Sequence, residues 1–245
     1  MIHITDEQAQ QYLSLLQEYC SRYHLCVSSD VLTKCLQHLD LVLEANQSMN
    51  LTRILNVEDA LVLHILDSLV LLPYINMAPQ GSLLDMGTGA GFPGIPLTIA
   101  SKRHAVYIDS VGKKINAVNS FIESLGIKHA VAVHERLEEY ARGHKKEFAV
   151  VTARALAPLP TLIEYAAPFV KDKGLFVITK GNPSQEEINA GETVSKICGF
   201  TCIADDSLDL PNGLGHREFI VMKKTHQAAV SLPRANGMAK KNPLA

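Results

Sequence analysis

From residue 81 onward, short runs of β-forming residues alternate with stretches of helical period, and nothing else in the chain limits its possible folds so sharply. The expected strands are 82–86, 104–109, 130–133, 147–152, 174–180, 200–205 and 217–223, with amphipathic helices in most of the gaps. Parallel strands joined through helices cross over right-handedly into one sheet, and such sheets bind ligands at the carboxyl ends of their strands. The last gap holds Pro211-Asn212-Gly213-Leu214-Gly215 and no helical period, so the final two strands should form a hairpin. The expected class is an α/β, doubly wound, mainly parallel Rossmann-like sheet with a terminal antiparallel strand.

Residues 1–80 carry a different pattern. Thr5 and Gln8 have the spacing of a capping box, followed by Tyr12, Leu15, Leu16 and Tyr19 on one helical face. Ser28-Ser29-Asp30 opens a second helix with Leu32, Cys35, Leu36 and Leu39 along one side. Asn56 caps a third, expected to run through Leu61, His64, Ile65, Leu69 and Leu72 until Pro73 stops it. The expected organisation is thus an N-terminal helical extension (1–80) docked on a core (81–224). Residues 225–245 have no sustained period and are expected to form a disordered tail.

Charge is uneven along the chain. Residues 1–80 hold three basic against nine acidic side chains, and the remainder carries a small basic excess, which leaves room for an anionic partner there. Five cysteines, with no Cys-x-x-Cys pair, argue against a disulfide framework and for a reducing cytoplasm. The first residues are acidic where a secretion signal is basic, and no uncharged apolar run has the length of a membrane span. A soluble cytoplasmic chain without membrane partners is expected.

The loop Asp85-Met86-Gly87-Thr88-Gly89-Ala90-Gly91-Phe92-Pro93-Gly94 lies between the first strand and a helix, where glycines allow positive φ and close backbone approach to a cofactor. Gly89-x-Gly91-x-x-Gly94 satisfies the dinucleotide pattern, and Asp109 stands 20 residues after Gly89, so an NAD site fits these residues. Other details favour S-adenosylmethionine. Asp85 puts an acid near where a cationic amino group would sit. Pro93 removes an amide that a pyrophosphate would use at a helix N-terminus. Asp109, closing the second strand, can accept both ribose hydroxyls. Leu137 and Glu138, after the third strand, can meet the face and edge of an adenine.

Seven segments occur in one order: Asn50-Leu51-Thr52, His64-Ile65-Leu66-Asp67-Ser68, Asp85 to Leu97, Asp109-Ser110-x-Gly112-Lys113-Lys114, Arg136-x-Glu138-Glu139, Arg154-Ala155 and Lys180-Gly181. Together they resemble the RsmG (GidB) family of small-subunit ribosomal RNA methyltransferases, from about residue 30 to Lys224. The resemblance implies a class I methyltransferase domain that transfers methyl from S-adenosylmethionine to N7 of one guanine in 16S rRNA. Carried over by motif, its cofactor contacts fall on Gly87, Phe92, Leu137, Glu138 and Arg154, beside Asp85, Gly89 and Asp109 of the loop and ribose positions. The residue before His64, often basic in the family, is Leu63 here.

What is missing after the fourth strand agrees with that chemistry. Enzymes that methylate exocyclic amines often carry an Asp/Asn-Pro-Pro-aromatic segment there, whereas this chain has Thr152-Ala153-Arg154-Ala155-Leu156-Ala157-Pro158. Guanine N7 has an in-plane lone pair and no proton, so no general base, no single catalytic residue and no metal are expected. His64, Asp67 and Ser68 share a helix face and are read as a polar junction between the helical part and the cofactor loop. Lys113, Lys114, Arg154, Lys180, Arg217, Lys223 and Lys224 are candidates for a phosphate-binding rim, and a monomer suffices. Two other readings stay open: an NAD-dependent oxidoreductase, and an inactive cofactor-binding or RNA-binding module.

Overall fold

The computed structural model describes residues 4–245; residues 1–3, where the expected helical extension begins, lie outside it. Seven strands form one sheet in the order β3-β2-β1-β4-β5-β7-β6. They are β1 (Leu83–Met86), β2 (Ala105–Asp109), β3 (Ala130–His134), β4 (Phe148–Arg154), β5 (Val170–Lys180), β6 (Phe200–Asp209) and β7 (His216–Lys224). The first five strands pair in parallel, and β7 enters antiparallel between β5 and β6. The expected hairpin is present, turning through Pro211–Gly213 with Asn212 at a φ of 60°. Strand order reverses at β1, with β2 on one side and β4 on the other, so a crevice opens where β1 and β4 end.

Successive strand residues face opposite layers. Leu83, Tyr107, Val150, Leu175 and Phe219 pack in one core with the helices Asp6–Arg22, Ser29–Met49, Gly94–Ser101 and Gly112–Ser124. Their neighbours Leu84, Ile108, Val151, Phe176 and Ile220 join a second core under Leu137–Gly143, Leu159–Ala166 and Gln185–Ile197. Near-continuous apolar strands are what a sheet covered on both faces requires.

The N-terminal helices begin where their caps indicate. Thr5 forms the full capping box with Gln8, Ser28 accepts from the Val31 amide, and Asn56 accepts from the Asp59 amide. These helices are tied to the far edge of the sheet by Tyr23 donating to the Asp209 carbonyl (2.6 Å) and Tyr74 to Asp206 (2.7 Å). Arg103 gathers the carbonyls of Ile75, Ala78, Pro79 and Gly81 at 2.7–3.1 Å, fixing the entry into β1. The stretch Val57–Met77 is long and apolar enough to cross a membrane, and 72% of its apolar window is buried inside the protein.

Two expectations need correction. Pro73 does not stop the third helix. The chain turns at Val70-Leu71 and Pro73 falls in the first turn of a new helix, Leu72–Met77, where its missing N–H costs nothing. Nor is 225–245 a loose tail. Leu232 and Ala239 are buried, and Arg234 grips Glu164 with two hydrogen bonds of 2.7 and 2.6 Å. A segment without periodicity can still be held by a few long-range contacts, and these left no periodic trace in its sequence.

Candidate cofactor and acceptor sites

The loop after β1 is braced from beneath. Asp85 is fully buried, and its Oδ2 accepts the Gly94 amide at 3.0 Å. Burial pushes the Asp85 carboxyl up to about 6, against the opposing pull of the Thr88 hydroxyl, the Gly94 amide and the Arg154 charge. Gly87 and Thr88 donate their amides to the Ile108 carbonyl, and Gly89 donates to Asp109 Oδ2 at 3.1 Å. Gly87 has a φ of 70°, and a Cβ there would lie 2.6 Å from Leu156 Cδ1. The positive φ is what calls for glycine here, since the half-buried Leu156 side chain could turn aside.

Above the loop lies a cavity of about 90 Å³ that draws Gly87, Asp109, Leu137 and Glu138 together with Arg136, Leu156, Tyr165 and Lys240. Asp109 Oδ1 also accepts the Val111 amide at 2.9 Å, which holds the carboxylate at the strand end. Glu138 is nearly buried in the first turn of its helix. Two carboxylates, one closing β2 and one in the helix after β3, with leucines beside them, form an acceptor set suited to the hydroxyls of a ribose and the amine of an adenine. Asp85 behaves differently from the expectation: it faces the start of helix Gly94–Ser101, not open space. Gly89 acts through its backbone, orienting Asp109.

Arg154 lines a second, larger cavity of about 340 Å³ with Ile54, His64, Asp67, Ala155, Thr179, Lys180 and Arg217, and Phe92 lines neither cavity but is buried against Arg154 and His64. In the wall of the larger cavity the buried Asp67 places one oxygen on Arg154 (3.0 Å) and the other on Arg217 (2.8 Å). Arg154 also donates to the Leu63 carbonyl at 3.0 Å, and its guanidinium lies 5.8 Å from the Phe92 ring. Phe92 is stacked on His64 at 4.5 Å and tilted against His38 at 4.3 Å. Lys180 pairs with Glu187 at 2.7 Å. His64 and Asp67 project from helix 57–69, whose middle, Leu61–Leu66, is π-wound. Such wide turns re-aim side chains and are frequent at functional sites.

Ala155 separates the two cavities. It has a φ of 52°, a left-handed conformation that costs a non-glycine residue roughly 1–2 kcal/mol. It lines the larger cavity while the next residue, Leu156, lines the smaller. Strain of this kind collects where a chain must turn sharply at a site.

His38 was not singled out in the sequence, yet it donates from Nε2 to the Ala90 carbonyl at 3.0 Å and so pins the glycine loop to helix Ser29–Met49. Its signal was a polar residue within the apolar face of Cys35, Leu39 and Val42. Thr52 was quoted only as part of a motif; its hydroxyl meets His64 Nε2 at 2.9 Å. Burial brings both His38 and His64 down to about 3, so both rings are neutral at pH 7.

This sheet order and the paired cavities at the β1/β4 crevice define a class I S-adenosylmethionine-type methyltransferase fold. Solved structures of that class match it at low identity. Precorrin-6y C5,15-methyltransferase from Geobacter metallireducens has a TM-score of 0.51 and 12% identity, covering 64% of this chain and 88% of that one. Geranyl diphosphate C-methyltransferase from Streptomyces coelicolor, solved with S-adenosyl-L-homocysteine, has a TM-score of 0.52 and 13% identity, covering 65% and 79%. The GidB family profile, described as rRNA small subunit methyltransferase G, matches residues 31–205. The Ribosomal RNA small subunit methyltransferase G of Acetivibrio thermocellus is 36% identical over 245 residues, covering 98% of this chain and 99% of that protein. The chain belongs to the rRNA small subunit methyltransferase G (GidB) family and is a methyltransferase.

Proposed function

We propose that the chain methylates N7 of a guanine in the 16S rRNA of the small ribosomal subunit, with S-adenosylmethionine as donor. The observation that carries this reading is an acceptor cavity equipped for binding and poorly equipped for proton abstraction. His64, held neutral with a pKa of about 3, is a weak base, and both oxygens of Asp67 are engaged by guanidinium groups. An acceptor nitrogen that already exposes a lone pair suits such a site, whereas an exocyclic amine would need to shed a proton.

S-adenosylmethionine, when bound, supplies an electrophilic methyl group. Gly87, Asp109, Leu137 and Glu138 would hold its nucleoside, with Asp109 on the ribose. The Asp67-Arg154-Arg217 cluster carries one net positive charge and faces the acceptor side, where it would receive a phosphate-bearing nucleotide. Holding the acceptor in line with the donor supplies the catalysis, since orientation removes roughly 7–11 kcal/mol of a bimolecular barrier in favourable cases.

The NAD reading is disfavoured by the helix after the loop. Pro93 has no N–H, Gly94 donates to Asp85, and Ile95 donates to the Gly91 carbonyl, so the amides that would receive a pyrophosphate are already engaged. The proposed enzyme works as a cytoplasmic monomer on rRNA. Calorimetry of the full chain with S-adenosylhomocysteine and NAD side by side tests the cofactor assignment. Binding of S-adenosylhomocysteine alone is expected, and binding of NAD alone would overturn it.

A further inference from the structure

The C-terminal segment reaches the cofactor cavity. Gly237, at a φ of 79°, donates its amide to Glu138 Oε1 at 2.7 Å, the carboxylate assigned above to the adenosine end. Asn236 donates to the neighbouring Glu139 at 2.6 Å. Lys240, exposed on its other side, lines the same cavity as Asp109 and Glu138. The segment is anchored at both flanks. Arg234 pairs with the buried Glu164, and the Ala239 carbonyl accepts from Thr161 at 3.3 Å.

We propose that segment 236–241 is a wall of the nucleoside subsite, in which the Gly237 amide positions Glu138 and the Lys240 ammonium donates to the ligand; the proposal rests on the cofactor reading above. The chemistry is complementary. Asp109, Glu135 and Glu138 bring three carboxylates to a cavity that must take an uncharged nucleoside, and only Arg136 and Lys240 among its lining residues offset them. Without Gly237 the Glu138 carboxylate would lose a charge-assisted hydrogen bond and its fixed direction. With the segment in place the cavity holds about 90 Å³, below the roughly 300 Å³ at which pockets for ligands of this size begin.

The test uses S-adenosylhomocysteine as probe and the full chain as reference. A chain ending at Ala235 keeps the Arg234–Glu164 pair and removes Gly237 and Lys240. It should bind about tenfold or more weakly, as expected for loss of hydrogen bonds involving charged groups. Lys240→Ala should bind several-fold more weakly and Lys240→Arg close to wild type, which a mere loss of packing would not produce. Amide exchange over 236–241 should slow when the probe is added. Should the shortened chain fail to fold, Lys240→Ala and the exchange measurement decide. Wild-type affinity in the variants, with exchange over 236–241 unchanged by the probe, overturns the inference while leaving the cofactor reading intact. A wild-type chain that does not bind the probe refutes both.

Discussion

Asp67→Asn is the substitution whose effect follows most directly from the geometry. The wild-type carboxylate is almost buried and serves two guanidinium groups, one on each oxygen, at 3.0 and 2.8 Å. An Asn of the same shape keeps one acceptor, and its amide NH₂ then points at the second guanidinium, donor against donor. Removing one partner of a buried pair costs about 3–5 kcal/mol, because the other charge stays desolvated. The Arg154 and Arg217 side chains retain 15% and 17% exposure, which places the loss at the lower end, about 3 kcal/mol. For a chain of this length each kcal/mol lowers the melting temperature by about 2–4 °C, so a drop of roughly 6–12 °C is expected in a thermal scan at pH 7. Adding Arg217→Gln should recover part of it, since Asn and Gln can pair with each other. A drop below about 2 °C would show that Asp67 does not organise the cluster, because even the low estimate exceeds it.

Asp109→Ala removes the acceptor of the Gly89 and Val111 amides, and S-adenosylhomocysteine affinity should fall about tenfold by calorimetry; unchanged affinity would refute the ribose role. In Gly94→Ala the new Cβ would lie 2.7 Å from Asp85 Oδ2 and 2.8 Å from the Tyr107 ring, and overpacking should cost about 1–3 kcal/mol in urea unfolding. A neutral result there would mean that the Asp85 brace is soft. Acid should destabilise the fold. His38 and His64 titrate near their ordinary value when unfolded and near 3 when folded, so below about 6.5 the unfolded state binds more protons and stability falls with pH. From pH 7 to 5 each costs about 2 kcal/mol, while Asp85, raised to about 6 in the fold, returns about 1.4, for a net loss of about 2–3 kcal/mol. Urea midpoints across this range that rise towards pH 5 would contradict the assigned burial.

The sheet was legible because its information is local. Adjacent pairs such as Leu83-Leu84 and Val150-Val151 send one residue to each core, so each strand carries its own apolar run, and each capping residue sits within three positions of its amide. The glycine loop and Asp109 were visible for a related reason: backbone conformation and strand ends leave marks in spacing. The acceptor side was only partly visible. Asp67 was placed at a junction, but its partner Arg217 is 150 residues away, and no period links the two. His38 was hidden because a histidine on an apolar helix face has the same sequence appearance whether it fills space or holds a loop carbonyl. Segment 225–245 was misread because Arg234 and Gly237 act one at a time, through contacts 70 or more residues distant.

The central claim is the identity of the methylated atom. Purified chain, methyl-labelled S-adenosylmethionine and small-subunit rRNA, followed by digestion and mass spectrometry of the nucleosides, read it directly. Label in a single 7-methylguanosine of 16S rRNA is expected. Label on an exocyclic amine, in another RNA or on protein would contradict it.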